Sequence, residues 1–286
     1  MTSAPLTYLF VPGNRPERFS KALDSAADCV ILDMEDAVTP VDKALARTAI
    51  AQWMSGPAGA SGRVLVRVND DSTPWQAEDL AALGALPWAG VMLPKCESAA
   101  QVAQVCLQLQ SAVGILPLIE TARGLAAAQA IASAPRVLRL AFGSLDYMVD
   151  MGLPRLRDAN GASAIALDMA AHQIALASRC AGLELPVAGV TPELDAAQVE
   201  RDMQHAHGLG FGAKMCIHPM QLAAVRSALQ PGAADLEWAE RVLRAWDASN
   251  GGALQVDGRM VDRPVVLRAQ RLLAMAAPTK AGPTKG

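Results

Sequence analysis

The run Gly114-Ile115-Leu116-Pro117-Leu118-Ile119 ends in Glu120, and the run Val137-Leu138-Arg139-Leu140-Ala141-Phe142 leads into Gly143-Ser144-Leu145-Asp146. Both are predominantly apolar, of strand length, and closed by a carboxylate. A strand with one wet face alternates polar and apolar residues. A strand covered on both faces reads as a nearly continuous apolar run, so these two predict buried parallel strands. The pattern repeats outward in both directions, as Leu6–Val11, Cys29–Met34, Arg63–Val68 and Gly90–Pro94 before them and Pro186–Val190 and Ala213–Ile217 after. Between the runs lie Ala- and Leu-rich stretches with helical spacing, among them Ala77–Leu86, Ser98–Gln110 and Ala162–Cys180. Eight strand–helix units predict an α/β fold closed as a (β/α)8 TIM barrel, in preference to an open doubly wound sheet. The widest spacing, between the sixth and seventh runs, leaves room for an extra loop, Asp150–Ser163, at the end of the barrel where barrel chemistry occurs. Helical patterning continues at Met220–Leu229, Ala234–Trp246 and Pro264–Ala276. The chain therefore divides into a barrel over 1–222, a C-terminal helical extension or lid over 223–276, and a disordered tail over 277–286.

Composition narrows the function classes. A chain of 286 residues suits one barrel, and its 52% hydrophobic content with only 4% aromatics predicts an aliphatic core. The net charge is -3, with both signs scattered, which argues against a nucleic-acid surface or a polybasic membrane patch. No apolar run reaches the length of a membrane span, and no signal peptide is expected, so the sequence reads as soluble and cytoplasmic. The five cysteines include no C-x-x-C pair, which speaks against a disulfide framework or a thiolate zinc site.

The informative residues are charged ones at the C-terminal ends of the strands, because a buried charge needs a partner or a task. Asp33, Glu35 and Asp36 end the second run, Arg67 and Asn69 the third, Lys95 follows the fourth, and Glu120 and Asp146 follow the fifth and sixth. A barrel gathers all these ends around one mouth. Taken singly, a Glu or Asp after a strand is a solvated loop residue or a helix cap. Taken together, Glu120 and Asp146 on consecutive units can share one oxygen-lined site. Two carboxylates, with water and a bidentate substrate completing the shell, suit octahedral Mg2+, and the lack of histidine and thiolate clusters argues against zinc. Arg67 has two readings: an ion pair with a barrel carboxylate, or a guanidinium aimed at a substrate carboxylate or a developing enolate oxygen. Arg15, Arg18 and Lys21 read either as a solvated helix start or as phosphate contacts. His205 and His207 cannot share a helix face, His172 reads as an ordinary helix residue, and His218 either packs or lines the mouth. Gly208-x-Gly210-x-Gly212 precedes a strand and so is no dinucleotide fingerprint.

Eight segments in register resemble the citrate lyase beta-subunit family, which includes malyl-CoA and citramalyl-CoA lyases. They are Leu9–Pro16, Ile31–Val38, Arg67-Val68-Asn69, Met92–Lys95, Ile119-Glu120-Thr121, Ala141–Asp146, Cys216–Pro219 and Asp257–Asp262. The resemblance spans roughly residues 6–275. It implies a Mg2+-dependent carbon–carbon lyase that cleaves, or forms by Claisen condensation, a 3-hydroxy-acyl-CoA. Carried over by position, Glu120 and Asp146 would bind the metal. Arg67, Asp262 and Glu35 would serve the chemistry. Asp36 and Lys95 would stand behind them, with Glu35 and Asp36 holding metal-bound waters. Gly143 and Ser144 would cradle a substrate carboxylate, and Arg15 and Lys21 would contact coenzyme A phosphates. Asp262 would cross to a neighbouring subunit, which implies a homo-oligomer, a trimer or a multiple of it, with shared sites. The partners implied are an acyl-CoA and a 2-oxo acid. Two rival activities follow from the same resemblance: a malyl-CoA thioesterase, and the beta subunit of a multi-subunit citrate lyase acting on a citryl thioester. A regulatory protein without activity is disfavoured by the intact set Arg67, Glu120 and Asp146. The aldolase branch of the wider superfamily has a histidine just after the second-strand acids, where this chain reads Asp36-Ala37-Val38.

Overall fold

A computed structural model describes residues 4–57, 61–84, 90–109, 113–158, 161–249 and 254–276. The chain forms two compact units, Ala4–Ala228 and the segment from Leu229 onward. The expected tail, 277–286, lies outside the described residues.

The first unit is a closed barrel of eight parallel strands in sequence order. They are β1 (Thr7–Pro12), β2 (Cys29–Asp33), β3 (Val64–Arg67), β4 (Gly90–Leu93), β5 (Gly114–Ile119), β6 (Ala141–Phe142), β7 (Val187–Ala188) and β8 (Ala213–Cys216). Every apolar run read from the sequence became a strand, and β1 pairs with β8 to close the ring. Two strands, β6 and β7, each keep only two residues of their runs. β6 keeps only Ala141-Phe142, with Val137 bridging singly to Ile115. The reason lies in Arg139, a long cation within the apolar run. It is 5% exposed, and its guanidinium donates to the carbonyls of Pro5 and Leu185 at 2.7 and 2.6 Å. Those carbonyls precede β1 and β7, so Arg139 stitches the N-terminal rim of the barrel.

Side chains alternate along each strand, and one set fills the barrel. Tyr8, Cys29, Ile31, Leu65, Met92, Leu116, Leu118, Ala141, Val187, Ala213 and Met215 pack as one core cluster. The inward rows continue upward into polar residues: Ile31 is followed two places on by Asp33, Leu65 by Arg67 and Leu118 by Glu120. The switch from aliphatic to charged thus occurs within single rows, at one height. Among the described residues, no helix is long and apolar enough to cross a membrane.

The second unit was expected to be helical. Its helices Ala233–Ala248 and Arg263–Ala276 are present, but between them Leu254–Val256 and Arg259–Val261 form an antiparallel hairpin. Asp257 and Gly258, at φ 52° and 74°, make its turn. Two central residues with positive φ are the requirement of a type I′ hairpin turn, and Asp-Gly is a preferred pair for it. Ala239, Val242, Val261, Val266 and Ala269 form this unit's own small core.

Candidate active site at the barrel mouth

Asp33 and Arg67 are direct partners across β2 and β3. Their side chains meet in a two-pronged ion pair, Nε to Oδ1 and Nη2 to Oδ2, both 2.7 Å, with Asp33 1% exposed. Arg67 Nη1 also lies 2.8 Å from Glu35 Oε2 and 3.6 Å from Asp36 Oδ2. The guanidinium lies over the Phe10 ring, 4.9 Å from its centroid. The ion-pair reading of Arg67 is therefore realised, and with two Asp33 oxygens rather than one. Burial alone would weaken the positive charge, but Asp33 and Glu35 outweigh it and hold the guanidinium firmly protonated.

The Asp33 carboxylate does a second task. It accepts the backbone N–H of Glu35 at 2.9 Å and of Ala37 at 3.0 Å, which folds the chain after β2 back over the strand end. Glu35 is carried inward by that turn, and its Oε1 accepts from Lys95 Nζ at 2.6 Å. Its buried Oε2 has the charge of Arg67 nearby but no directed hydrogen bond among the described residues. Burial raises the Glu35 pKa, and Arg67 opposes the rise.

Lys95 links this network to Glu120. It follows β4 in a left-handed conformation, φ 43°, which is uncommon for a residue with a Cβ. That turn aims its backbone N–H at Glu120 Oε1, 2.7 Å away. Glu120 is 2% exposed. Burial, followed by the negative charges of Glu35 and Asp146, pushes its carboxyl up to about 8. Asp146 sits in the first turn of a short helix, Ser144–Asp150, which the sequence did not mark and which precedes the expected loop Asp150–Ser163. Its pKa is raised by burial and by Asp36, against the pull of Lys95 and Arg67. Gly143 caps that helix, and a Cβ there would stand 2.6 Å from Glu120 Cβ and closer still to Glu120 Oε2. Only glycine leaves room for the carboxylate.

These observations test whether a divalent cation suits the residues present. Two mutually repelling carboxylates, neither ion-paired with a cation among the described residues, are held at one place. Glu35 Oε2, 2.8 Å from Arg67 Nη1 but without a directed hydrogen bond, keeps acceptor capacity for a metal-bound water. No group of three or more His, Cys, Asp or Glu among the described residues could hold an ion by itself. The remaining positions then fall to water and substrate, as expected for a hard, oxygen-seeking cation. The residues fit Mg2+.

Other expected residues fall elsewhere. Arg15 is exposed and paired with Glu17 at 2.6 Å, and Lys21 is exposed on the short helix Phe19–Leu23. Asp262, in the second unit, precedes the helix Arg263–Ala276, where its Oδ1 accepts from Val265 N at 3.4 Å and its carbonyl from Val266 N at 3.1 Å. His205 pairs with Asp168, and His207 Nδ1 contacts the Phe211 carbonyl. A cavity of about 270 Å³ lies beside the mouth, against Ser144, Arg157, Asp202 and Lys214. Lys214, which faces outward on β8, carries no sequence signal that singles it out. It is buried, donates to the Gly189 carbonyl at 2.6 Å, and is lowered to about 8 by that burial. Asn69 and Asp79 were missed as a pair: Asp79, 0% exposed, accepts from both nitrogens of Asn69 and from Arg47.

Comparison with known proteins identifies the family. A family model described as HpcH/HpaI aldolase/citrate lyase matches residues 6–219. A citrate lyase subunit beta-like protein of Mycobacterium tuberculosis is 39% identical over 272 residues, covering 94% of each chain. A (3S)-malyl-CoA thioesterase of Cereibacter sphaeroides is 29% identical over 271 residues, covering 94% of this chain and 93% of its own. The crystal structure of CitE from Mycobacterium tuberculosis in complex with magnesium, acetoacetate and coenzyme A superposes with a TM-score of 0.87 at 38% identity. It covers 96% of this chain and 99% of that one.

Proposed function

The chain belongs to the HpcH/HpaI aldolase/citrate lyase family, and from that premise we propose that it is a Mg2+-dependent lyase. It would cleave, or by condensation form, the carbon–carbon bond of a 3-hydroxy-acyl-CoA such as malyl-CoA, citramalyl-CoA or a methylmalyl thioester. The observation that carries the reading is the convergence of Glu120, Asp146, Glu35, Lys95 and Arg67 at one end of the barrel. The acids are held ready for a metal ion, and the cationic side chains of Lys95 and Arg67 are already placed around them.

Glu120 and Asp146 would hold the ion, and Glu35 and Asp36 would receive hydrogen bonds from its waters. Bound there, Mg2+ supplies Lewis acidity toward the oxygens of the fragment that becomes the 2-oxo acid. Arg67, fixed by Asp33, offsets negative charge that builds as the carbon–carbon bond breaks. The backbone around Gly143–Asp146 cradles the substrate carboxylate: the Gly143 N–H is spent on the Ile119 carbonyl at 3.0 Å, and the first turn of the helix Ser144–Asp150 supplies the N–H donors. The 3-hydroxyl loses its proton to solvent as its C–O becomes the carbonyl of the 2-oxo acid and the carbon–carbon bond breaks. Asp262, supplied by a neighbouring copy in a homo-oligomer, delivers a proton to the α-carbon of the departing thioester enolate. Arg15 and Lys21 bind coenzyme A phosphates.

Thioester hydrolysis at the same site is the second reading, favoured by the thioesterase relative. One assay separates the two. With Mg2+ and each of the three thioesters, a lyase releases a 2-oxo acid and an acyl-CoA, and a thioesterase releases free coenzyme A thiol. A 2-oxo acid lost on chelation of the metal is the expected result. Failure of all three thioesters to yield one, with thiol released, would overturn the lyase reading.

A further inference from the structure

Lys43 is the wrong charge for its place. It opens the helix Lys43–Met54, where the exposed N–H groups carry partial positive charge and favour an acid. It is also buried, 6% exposed, although burying an ammonium costs several kcal/mol unless it is well partnered. Its partners are main-chain atoms of the segment after β2. Nζ donates to the Met34 carbonyl at 2.7 Å and to the Glu35 carbonyl at 2.8 Å. Its third side is closed by the Trp75 ring, whose centroid lies 5.1 Å away. Asp33, Glu35, Asp79 and Asp36 all attract it.

What those two carbonyls carry is Glu35. The Glu35 carboxylate is the junction of the site, touching Lys95 through Oε1 and Arg67 through Oε2. Oε2 meets Arg67 at 2.8 Å without a directed hydrogen bond, so the direction of the carboxylate rests on Lys95 and on the backbone that carries it. From Glu35 the path runs to Lys95 Nζ, and from the same Lys95 the backbone N–H holds Glu120 Oε1.

We propose that Lys43 is a positioning residue. Gripping the Met34 and Glu35 carbonyls from behind, it sets the Glu35 carboxylate against Arg67 and Lys95 and so holds Glu120 in its metal-binding pose. The proposal deepens the lyase reading and rests on it for the metal and the reaction, but the grip itself is testable without either.

The test uses the full-length protein and its Lys43→Met variant, which keeps the side-chain length and removes the donors. Hydrogen exchange is measured at the amides of Glu35, Ala37 and Val38 and at those of β5. In the variant, exchange at the first three should rise on the order of tenfold while β5 holds its wild-type rate. Mn2+ binding without substrate should weaken on the order of tenfold, the size typical of a lost outer contact to a metal site. With an active thioester, kcat should fall while KM for it moves less than about threefold. Unchanged exchange at 35–38 would overturn the proposal, and so would an equal rise in β5, which marks a merely structural lysine. If Lys43→Met does not fold, Trp75→Leu, which removes the half-buried ring beneath the ammonium, is read the same way, with the same outcomes for and against. A wild-type protein that binds no Mn2+ or cleaves no thioester would defeat the lyase reading, while the exchange rates still judge Lys43.

Discussion

Arg67 spends its nitrogens on Asp33 and Glu35 before any substrate arrives, and this decides what a substitution there does. Lysine would keep a positive charge but offers no planar fork for the two Asp33 oxygens. Arg67→Lys should therefore lower kcat/KM by well over tenfold, that is, by more than about 1.4 kcal/mol of transition-state stabilisation. It should also destabilise the fold, because Asp33 would stay buried with its charge half met. Steady-state kinetics of the variant check this, and near-normal values would confine Arg67 to holding β2 and β3 together. Glu120→Ala and Asp146→Ala should each abolish Mg2+-dependent turnover with circular dichroism unchanged. Full activity of both at limiting Mg2+ would remove the metal assignment. These residues were readable from the sequence because each interrupts or ends an apolar run. Lys43 was not, since it follows Asp42 at the start of a polar-faced helix, where a charged pair ordinarily faces water. Arg139 sat in plain view within a run but gave no sign of which rim it would close.

Among the elements, the fifth and sixth strand–loop units set how much space the site has. Glu120 leaves β5 and leans toward the turn after β6, which accepts it only because position 143 has no side chain. Gly143→Ala must displace either the Glu120 carboxylate or the start of the helix Ser144–Asp150. The expected result is Mn2+ binding weakened by roughly tenfold or more, with a thermal midpoint within a few degrees of wild type. Wild-type metal affinity in Gly143→Ala would show that Glu120 is not constrained by that turn. Element by element, strand existence was legible and strand length was not. The apolar pattern marks which residues are buried, whereas ladder length depends on register with neighbours and on insertions such as Arg139. The helix Ser144–Asp150 was missed because it is short and directly follows a glycine. The hairpin of the second unit was missed for a different reason. Its strands have three residues each, too few to show alternation, although Asp257-Gly258 carried the turn signal.

Over the whole molecule, charge at the mouth couples stability to pH and to metal. Glu120 holds its proton to about 8 in the fold, against an ordinary value of 4.5. The native state then binds a proton that the unfolded chain has already released. Its contribution to stability is complete below about pH 4.5 and is lost as pH rises through about 8. A cation takes the proton's place, so stabilisation by Mg2+ should grow over the same window. Thermal unfolding at about pH 6 and about pH 8.5, with and without Mg2+, checks the sign. A metal-induced shift that is equal at both values would refute the coupling. Assembly is tested by mixing inactive Asp262→Ala and inactive Glu120→Ala protein under conditions of subunit exchange. Recovered activity is expected if Asp262 serves a neighbour's site. Proven exchange without recovery would leave Asp262 as the cap of its own helix, a contact it already makes.

The ring closes through the pairing of β1 with β8, and this has a consequence during synthesis. The ribosome delivers β1 first, but its partner on that side is complete only at Cys216. At about 5–20 residues per second, the intervening stretch of roughly 200 residues takes about 10–40 s to emerge. For that interval one edge of β1 is an open strand, a template for pairing with other chains. Nascent chains stalled short of Ala213 should therefore be bound by chaperones and cut readily by protease, and those stalled far enough past Cys216 for β8 to leave the exit tunnel should abruptly resist. A gradual gain of resistance with chain length would mean instead that the half-built barrel already protects its own edge.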